Sequence, residues 1–297
     1  MATVLKVNNL SKYYGSLRAV DNLSFEVKKG SVYGILGPNG SGKTTTLGML
    51  TSAINPKSGN FLWFSQEPSA KLRKNIGILL EKPNFYDYLS AENNLKIVAD
   101  IRGLDYSLVE PALKMVSLWE RKSSKFKTYS LGMKQRLAIA SAVMGDPDIL
   151  ILDEPTNGLD PTGIAEVRDL IRKLAGQGKT IVLASHLLDE VQKVCTDLLV
   201  MKFGKKIYEG NINDLSRTEA QLEMMSENKE QLIRSLQNYH NITDIKEDGE
   251  FVIATLANET TAMDANKYLF DQGIVLNHLV LRKANLEAQV LDLLKDF

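Results

Sequence analysis

Apolar and polar residues alternate with a period of two over residues 4–10 and 23–27, which predicts two short strands. Between them, Lys12-Tyr13-Tyr14-Gly15-Ser16 reads as a turn at Gly15 with Tyr14 at its edge. Residues 31–36 are an apolar strand-like run and residues 44–50 a helix-like one. Asn55-Pro56-Lys57-Ser58-Gly59 marks a turn, residues 61–64 return as strand, and residues 76–80 are a buried strand ending at Glu81-Lys82-Pro83-Asn84. From residue 90 to 117 the period lengthens to that of a helix, with Leu95, Val98 and Ile101, then Leu108, Ala112, Met115 and Val116, broken at Gly103. Residues 84–145 therefore read as a helical insert in a sheet domain, its last helix ending near Met144 before Gly145-Asp146-Pro147.

Ile149-Leu150-Ile151-Leu152 predicts a strand buried on both faces, as in a parallel sheet. A helix is expected at about 162–175, a buried strand over 180–185 ending at His186, and a hairpin over 197–203 and 205–208 turning at Gly204. Gly210 closes the sheet domain, and from about residue 218 the composition changes. Strands at 221–225, 242–246, 251–256 and 275–281 and helices at 229–239, 261–270 and 286–294 give the order β-α-β-β-α-β-α. That order predicts a small α+β unit, ferredoxin-like in outline, with no motif of assignable chemistry. The expected division is residues 1–215 and 216–297.

Composition narrows the function. With 36 basic and 36 acidic side chains the formal charge is zero, so no field of one sign argues for nucleic acid and none is expected as a partner. A 44% hydrophobic content over 297 residues supplies a core for one large domain and one smaller one. The single cysteine, Cys195, excludes an internal disulfide and fits a reducing cytosol. The N-terminus lacks an apolar signal core, and no apolar run reaches the ~20 residues of a spanning helix. The expectation is a protein soluble by itself, for which any membrane span comes from another chain.

Between the strand at 31–36 and the helix at 44–50 lies Gly37-Pro38-Asn39-Gly40-Ser41-Gly42-Lys43-Thr44-Thr45. The spacing G-x-x-x-x-G-K-[ST] in a strand–loop–helix setting is a phosphate cradle. Glycines admit phosphate oxygens that a Cβ would block, and the helix N-terminus adds partial positive charge. Lys43 would reach the β- and γ-phosphates, and Thr44 would place a hydroxyl on Mg²⁺. Asp153 and Glu154 end a buried strand, where α/β sheets keep their chemistry. Tyr14 could stack on an adenine face or simply pack at a surface turn.

In order and spacing these motifs resemble the ATP-binding subunits of ABC transporters over residues 2–215. Walker A is residues 37–44, and Walker B is residues 149–153 with Glu154 after it. The D-loop is Gly158-Leu159-Asp160, and the switch histidine is His186 in Ser185-His186-Leu187-Leu188-Asp189-Glu190. Two motifs depart from the family. The usual Leu-Ser-Gly-Gly-Gln signature is Tyr129-Ser130-Leu131-Gly132-Met133, and the Q-loop glutamine is Glu81, a carboxylate that accepts hydrogen bonds but cannot donate while ionised. Both variants are similar to those of the branch of bacitracin- and drug-type exporters.

The resemblance implies an α/β P-loop NTPase core with an N-terminal antiparallel β subdomain and a helical insert. It implies ATP and Mg²⁺ as cofactors, with Thr44, Glu81 and Asp153 at the metal. Glu154 would accept a proton from the attacking water, His186 would contact the γ-phosphate, and Lys43 would offset charge. Tyr14 would stack on adenine. Ser130, Gly132 and Asp160 would meet ATP bound by a second copy or a paralogous subunit. The remaining partner would be an integral membrane permease, whose cytosolic helix the insert and the Glu81 loop would receive at the inner face of the cell membrane. Gln135 and Arg136 would support the signature loop. Two rivals remain: a soluble ABC regulator, which usually carries twin cassettes or coiled-coil arms that are absent here, and a nucleotide-binding scaffold of little turnover, prompted by Leu131 and Met133.

Overall fold

Three apolar runs, residues 32–36, 149–153 and 180–185, become the middle of a parallel sheet in the computed structural model, which describes residues 2–80, 83–215, 221–257, 260–282 and 290. The chain divides into two units after Ile212.

In the first unit, β1 (Thr3–Tyr14) and β2 (Leu17–Lys28) form an antiparallel hairpin, with β3 (Val32–Leu36) following. The helix α1 (Lys43–Leu50) leads to β4 (Ser58–Trp63), which pairs with the other edge of β1 to give the order β2-β1-β4. The first two strands are longer than the alternation suggested. Register shifts between Val7 and Leu10 and between Leu10 and Lys12, with Asn9 at φ 48° and Asn22 at φ 55°, interrupt the period of two without ending the pairing. The turn contracts to Gly15 and Ser16, with Tyr14 opposite Leu17.

A short helix α2 (Ala70–Arg73), capped by Ser69, precedes β5 (Ile76–Leu79). The stretch before the next strand is helical: α3 (Ala91–Arg102), α4 (Val109–Met115) and α5 (Leu131–Val143). Gly103 breaks the helical stretch after α3, as the sequence suggested, and does so in the left-handed conformation. Then come β6 (Ile149–Asp153), α6 (Pro161–Gly176), β7 (Thr180–Ser185), α7 (Leu188–Val194), β8 (Asp197–Lys202) and β9 (Lys205–Asn211), and the single turn α8 (Ile212–Leu215) lies at the division between the units. The sequence pattern did not anticipate α2 or α7, both too short to show a helical period. The second sheet has the order β5-β6-β7-β3-β8-β9, parallel except for β9. Every residue of β3, β6 and β7 is buried, which explains their unbroken apolar runs. Trp63, 1% exposed, donates its indole N–H to Leu50 O at 3.0 Å and so ties the antiparallel sheet to the end of α1.

The second unit holds β10 (Gln221–Ser226), α9 (Lys229–Gln237), β11 (Ile242–Asp248), β12 (Phe251–Leu256), α10 (Ala262–Asp271) and β13 (Leu276–Arg282). Its antiparallel order β11-β12-β10-β13 is that of a ferredoxin-like fold. Leu222, Met224, Val252 and Ala254 pack against Leu232, Leu236 and Leu269 of the two helices. The helix expected over 286–294 lies outside the described residues, Val290 excepted. Among the described residues no helix is long and apolar enough to cross a membrane.

Candidate functional site

Sheet order creates the site. Leu36 at the end of β3 pairs with Ser185 at the end of β7, and Asp153 at the end of β6 pairs with Ala184. The residues that follow, Gly37, His186 and Glu154, therefore leave the sheet side by side at its C-terminal edge.

The loop after β3 is closed by backbone contacts. Ser41 N donates to Pro38 O at 3.1 Å, Gly37 N to Ser185 O at 3.4 Å, and Gly204 N to Ser41 O at 3.0 Å. A Cβ on Gly37 would stand 2.3 Å from Met201 O, and one on Gly42 2.3 Å from Ala19 O. Gly40, at φ +80°, has nothing within 4 Å of that position. Two glycines are thus demanded by the walls of the loop and one by its conformation. Pro38, Asn39, Gly40 and Thr44 are exposed, and Thr45 is half-buried. No side chain caps the start of α1, and the buried Ser41 Oγ has no hydrogen-bond partner. Exposed backbone N–H groups and an orphaned buried hydroxyl fit an anionic ligand.

Lys43 is only 5% exposed. Its Nζ donates to Gly37 O at 2.7 Å and Pro38 O at 3.3 Å and stands 3.3 Å from Glu154 Oε1. Glu154 Oε2 lies 2.8 Å from His186 Nδ1 and accepts from His186 N at 3.4 Å. One carboxylate therefore bridges the lysine of the first loop and the histidine of another. Glu154 sits at φ +46°, a left-handed conformation unusual for a side-chain-bearing residue, held by its N–H on Ala184 O at 2.9 Å. Asp153, one residue earlier, is buried at the strand end. Among the described residues no group of three or more His, Cys, Asp or Glu could hold a metal by itself. Glu81 lies outside the described residues.

A second cluster forms where α5 and α6 begin. Exposed Ser130 caps α5, its Oγ accepting from Met133 N at 3.3 Å, and exposed Asp160 caps α6, its Oδ1 accepting from Gly163 N at 2.9 Å. Gly132 faces Gly163, whose Cα lies 3.8 Å from where a Cβ on Gly132 would be. Gln135 is buried, and Arg136 donates to Val116 O at 3.1 Å and pairs with Glu166 at 3.4 Å. Tyr14 is 50% exposed at the hairpin tip, with Lys12 Nζ 5.4 Å from its ring centroid. Gly204 and Gly163 escaped the sequence reading as site residues. Gly204 looked like an ordinary hairpin turn, and nothing local marks its contact with Ser41.

A family model described as ABC transporter matches residues 20–157. The bacitracin transport ATP-binding protein BcrA of Enterococcus faecalis is 36% identical over 294 residues, which cover 97% of this chain and 95% of that protein. The chain belongs to the ABC transporter ATP-binding subunits. This ABC subunit binds nucleotide and is an ATP hydrolase, as its family is. The Nod factor export ATP-binding protein I of Cupriavidus metallidurans is 36% identical over 228 residues, covering 74% of this chain and 75% of that protein. A solved dimeric ATP-binding cassette in a post-hydrolysis state with ADP and Pi is 25% identical, with a TM-score of 0.61, covering 70% of this chain and 98% of that one. An ATP-binding subunit of a transporter implies a separate membrane permease.

Proposed function

We propose that this ABC subunit is the motor of an exporter and hydrolyses ATP held between two such subunits. The carrying observation is the Glu154 carboxylate between Lys43 at 3.3 Å and His186 at 2.8 Å, at the mouth of the glycine loop. In-line hydrolysis needs a proton acceptor, a group on the γ-phosphate and offset of developing charge, and these three residues have those chemistries. Lys43 would exchange its carbonyl and carboxylate partners for phosphate oxygens. Glu154, released from that ammonium, would accept the proton of the attacking water, and His186 would hold the γ-phosphate. Thr44, Asp153 and Glu81 are oxygen ligands of the kind Mg²⁺ takes alongside nucleotide phosphates, which suits a site without an all-protein cage. Bound there, the metal would neutralise phosphate charge. Tyr14 would stack on the adenine.

One subunit offers the cradle, and Ser130, Gly132 and Asp160 offer exposed polar caps with a bare glycine between them. A dimer would bring the caps of one subunit to the nucleotide of the other, an arrangement supported by the likeness to the dimeric cassette. Relatives named for bacitracin transport and Nod factor export support the outward direction. The helices between β5 and β6 would receive the permease at the inner face of the membrane, and the ferredoxin-like unit would serve as an accessory.

Two measurements test this. Phosphate release should fall in Lys43→Ala and Glu154→Gln relative to the natural chain, and equal rates in all three would sink the motor in favour of a binding scaffold. Glu154→Gln with ATP should sediment as a dimer, whereas a monomer at every protein concentration would sink the two-subunit site.

A further inference from the structure

Leu131 stands in the signature where the family usually has glycine, and the structure gives its side chain a partner. It is the first residue of α5 and is 47% exposed. A Cβ placed on Gly158 would lie 3.2 Å from Leu131 Cδ2, and nothing else comes within 4 Å of that position. Gly158 has φ +74°. The leucine thus lies over the bare backbone of a residue whose left-handed conformation favours glycine and where a Cβ would crowd Leu131 Cδ2.

The loop under Leu131 begins at Glu154. Glu154 O accepts from Asn157 N at 3.1 Å, Thr156 O accepts from Leu159 N at 3.3 Å, and Asp160 then caps α6. A short series of turns therefore joins the carboxylate bridging Lys43 and His186 to the backbone that Leu131 covers. The other side of Leu131 is Ser130, the exposed cap of the same helix. Gly132 against Gly163 brings the two helix starts together beside it.

We infer that Leu131 is a positioning residue that locks the Ser130 cap to the 154–160 loop of its own subunit. Closure of Ser130 on a partner's nucleotide is thereby transmitted to this subunit's Glu154. A glycine at 131 would remove this contact and leave the bare backbone of Gly158 uncovered by α5 at that point. This inference rests on the two-subunit reading and adds to it a route from one nucleotide site to the other.

The test uses the full chain with Leu131→Ala, Leu131→Met and Gly158→Ala, each alone and combined with Glu154→Gln. Leu131→Ala should lower kcat by about tenfold through misplacement of Glu154. It should raise the ATP concentration needed to dimerise the Glu154→Gln chain by a similar factor, with monomer affinity for a fluorescent ATP analogue and thermal midpoint unchanged. Leu131→Met, which keeps an apolar reach, should restore both. Gly158→Ala should mimic Leu131→Ala, and the double variant should fall short of the product of the two effects. If Leu131→Ala matches its parent in kcat and dimerisation, the inference fails and the two-subunit site stands. A parallel loss of thermal midpoint and monomer affinity would make Leu131 merely structural, which also overturns it. Failure of Glu154→Gln itself to dimerise would remove the two-subunit site and this inference with it.

Discussion

Lys43 Nζ and Glu154 Oε1 stand 3.3 Å apart, with the lysine all but buried and held also by Gly37 O at 2.7 Å. An ammonium withdrawn from water needs such partners, and phosphate oxygens compete for it with the same charge-assisted bonds. Lys43→Ala is expected to lower kcat/KM for ATP by at least about 10²-fold, since in the proposed mechanism it removes the charge that would offset the developing anion. If Glu154 is the proton acceptor proposed above, Glu154→Gln is expected to lower kcat by about 10²–10⁴-fold while keeping nucleotide affinity. Steady-state phosphate release alongside equilibrium nucleotide binding separates the two.

The three loop glycines should differ in kind. Gly37→Ala and Gly42→Ala drive a Cβ to within 2.3 Å of a backbone oxygen, where nothing flexible can yield. Each should destabilise by about 2 kcal/mol or more and abolish nucleotide binding. Gly40→Ala meets open space and suffers only its φ of +80°, so a loss of about 1 kcal/mol is expected. Urea unfolding midpoints of the three variants give the comparison.

Asp160 can be divided into cap and charge. Asp160→Ala removes the bond from Gly163 N at 2.9 Å and should cost about 1 kcal/mol. Asp160→Asn keeps an equally good cap and should be near neutral in stability. If the charge matters at the seam between subunits, Asp160→Asn in the Glu154→Gln chain will still shift the ATP-dependent dimer equilibrium. Denaturation and sedimentation on the same samples read both effects.

Cys195 is buried against Gly34, and burial pushes its thiol well above the usual range. The thiolate is the reactive form, so the folded protein should resist an aromatic disulfide reagent at mildly alkaline pH and react at once in denaturant. The linkage has a definite sign. The unfolded thiol ionises near ~8.5 and the folded one higher, so the stabilising contribution is complete below that pH and shrinks as pH rises above it. Cys195→Ala should flatten the alkaline side of the stability profile.

Much of this was legible along the chain because it is local. The phosphate loop is contiguous, and its flanking strand and helix carry periods that declare themselves. The parallel strands β6 and β7 were visible as unbroken apolar runs, and the antiparallel order of the second unit as alternation between turns. The full length of β1 and β2 was hidden, because bulges at Asn9 and Asn22 switch which residues face inward. The helix α7 was hidden because two turns are too few to show a period.

By itself, the order of residues determined that a glycine loop of phosphate-cradle pattern opens at Gly37 between a strand and a helix, that acids end a buried strand at Asp153 and Glu154, and that a small α+β unit follows. Those features depend on neighbours a few positions apart, where backbone sterics and side-chain pattern are written directly. Tertiary structure alone decided that Lys43, Glu154 and His186 meet, and that Leu131 lies on Gly158. The sheet order β6-β7-β3 brings three strand ends together from distant parts of the chain, and that order arises from packing between helices and sheet. No local period encodes which strand will stand beside which.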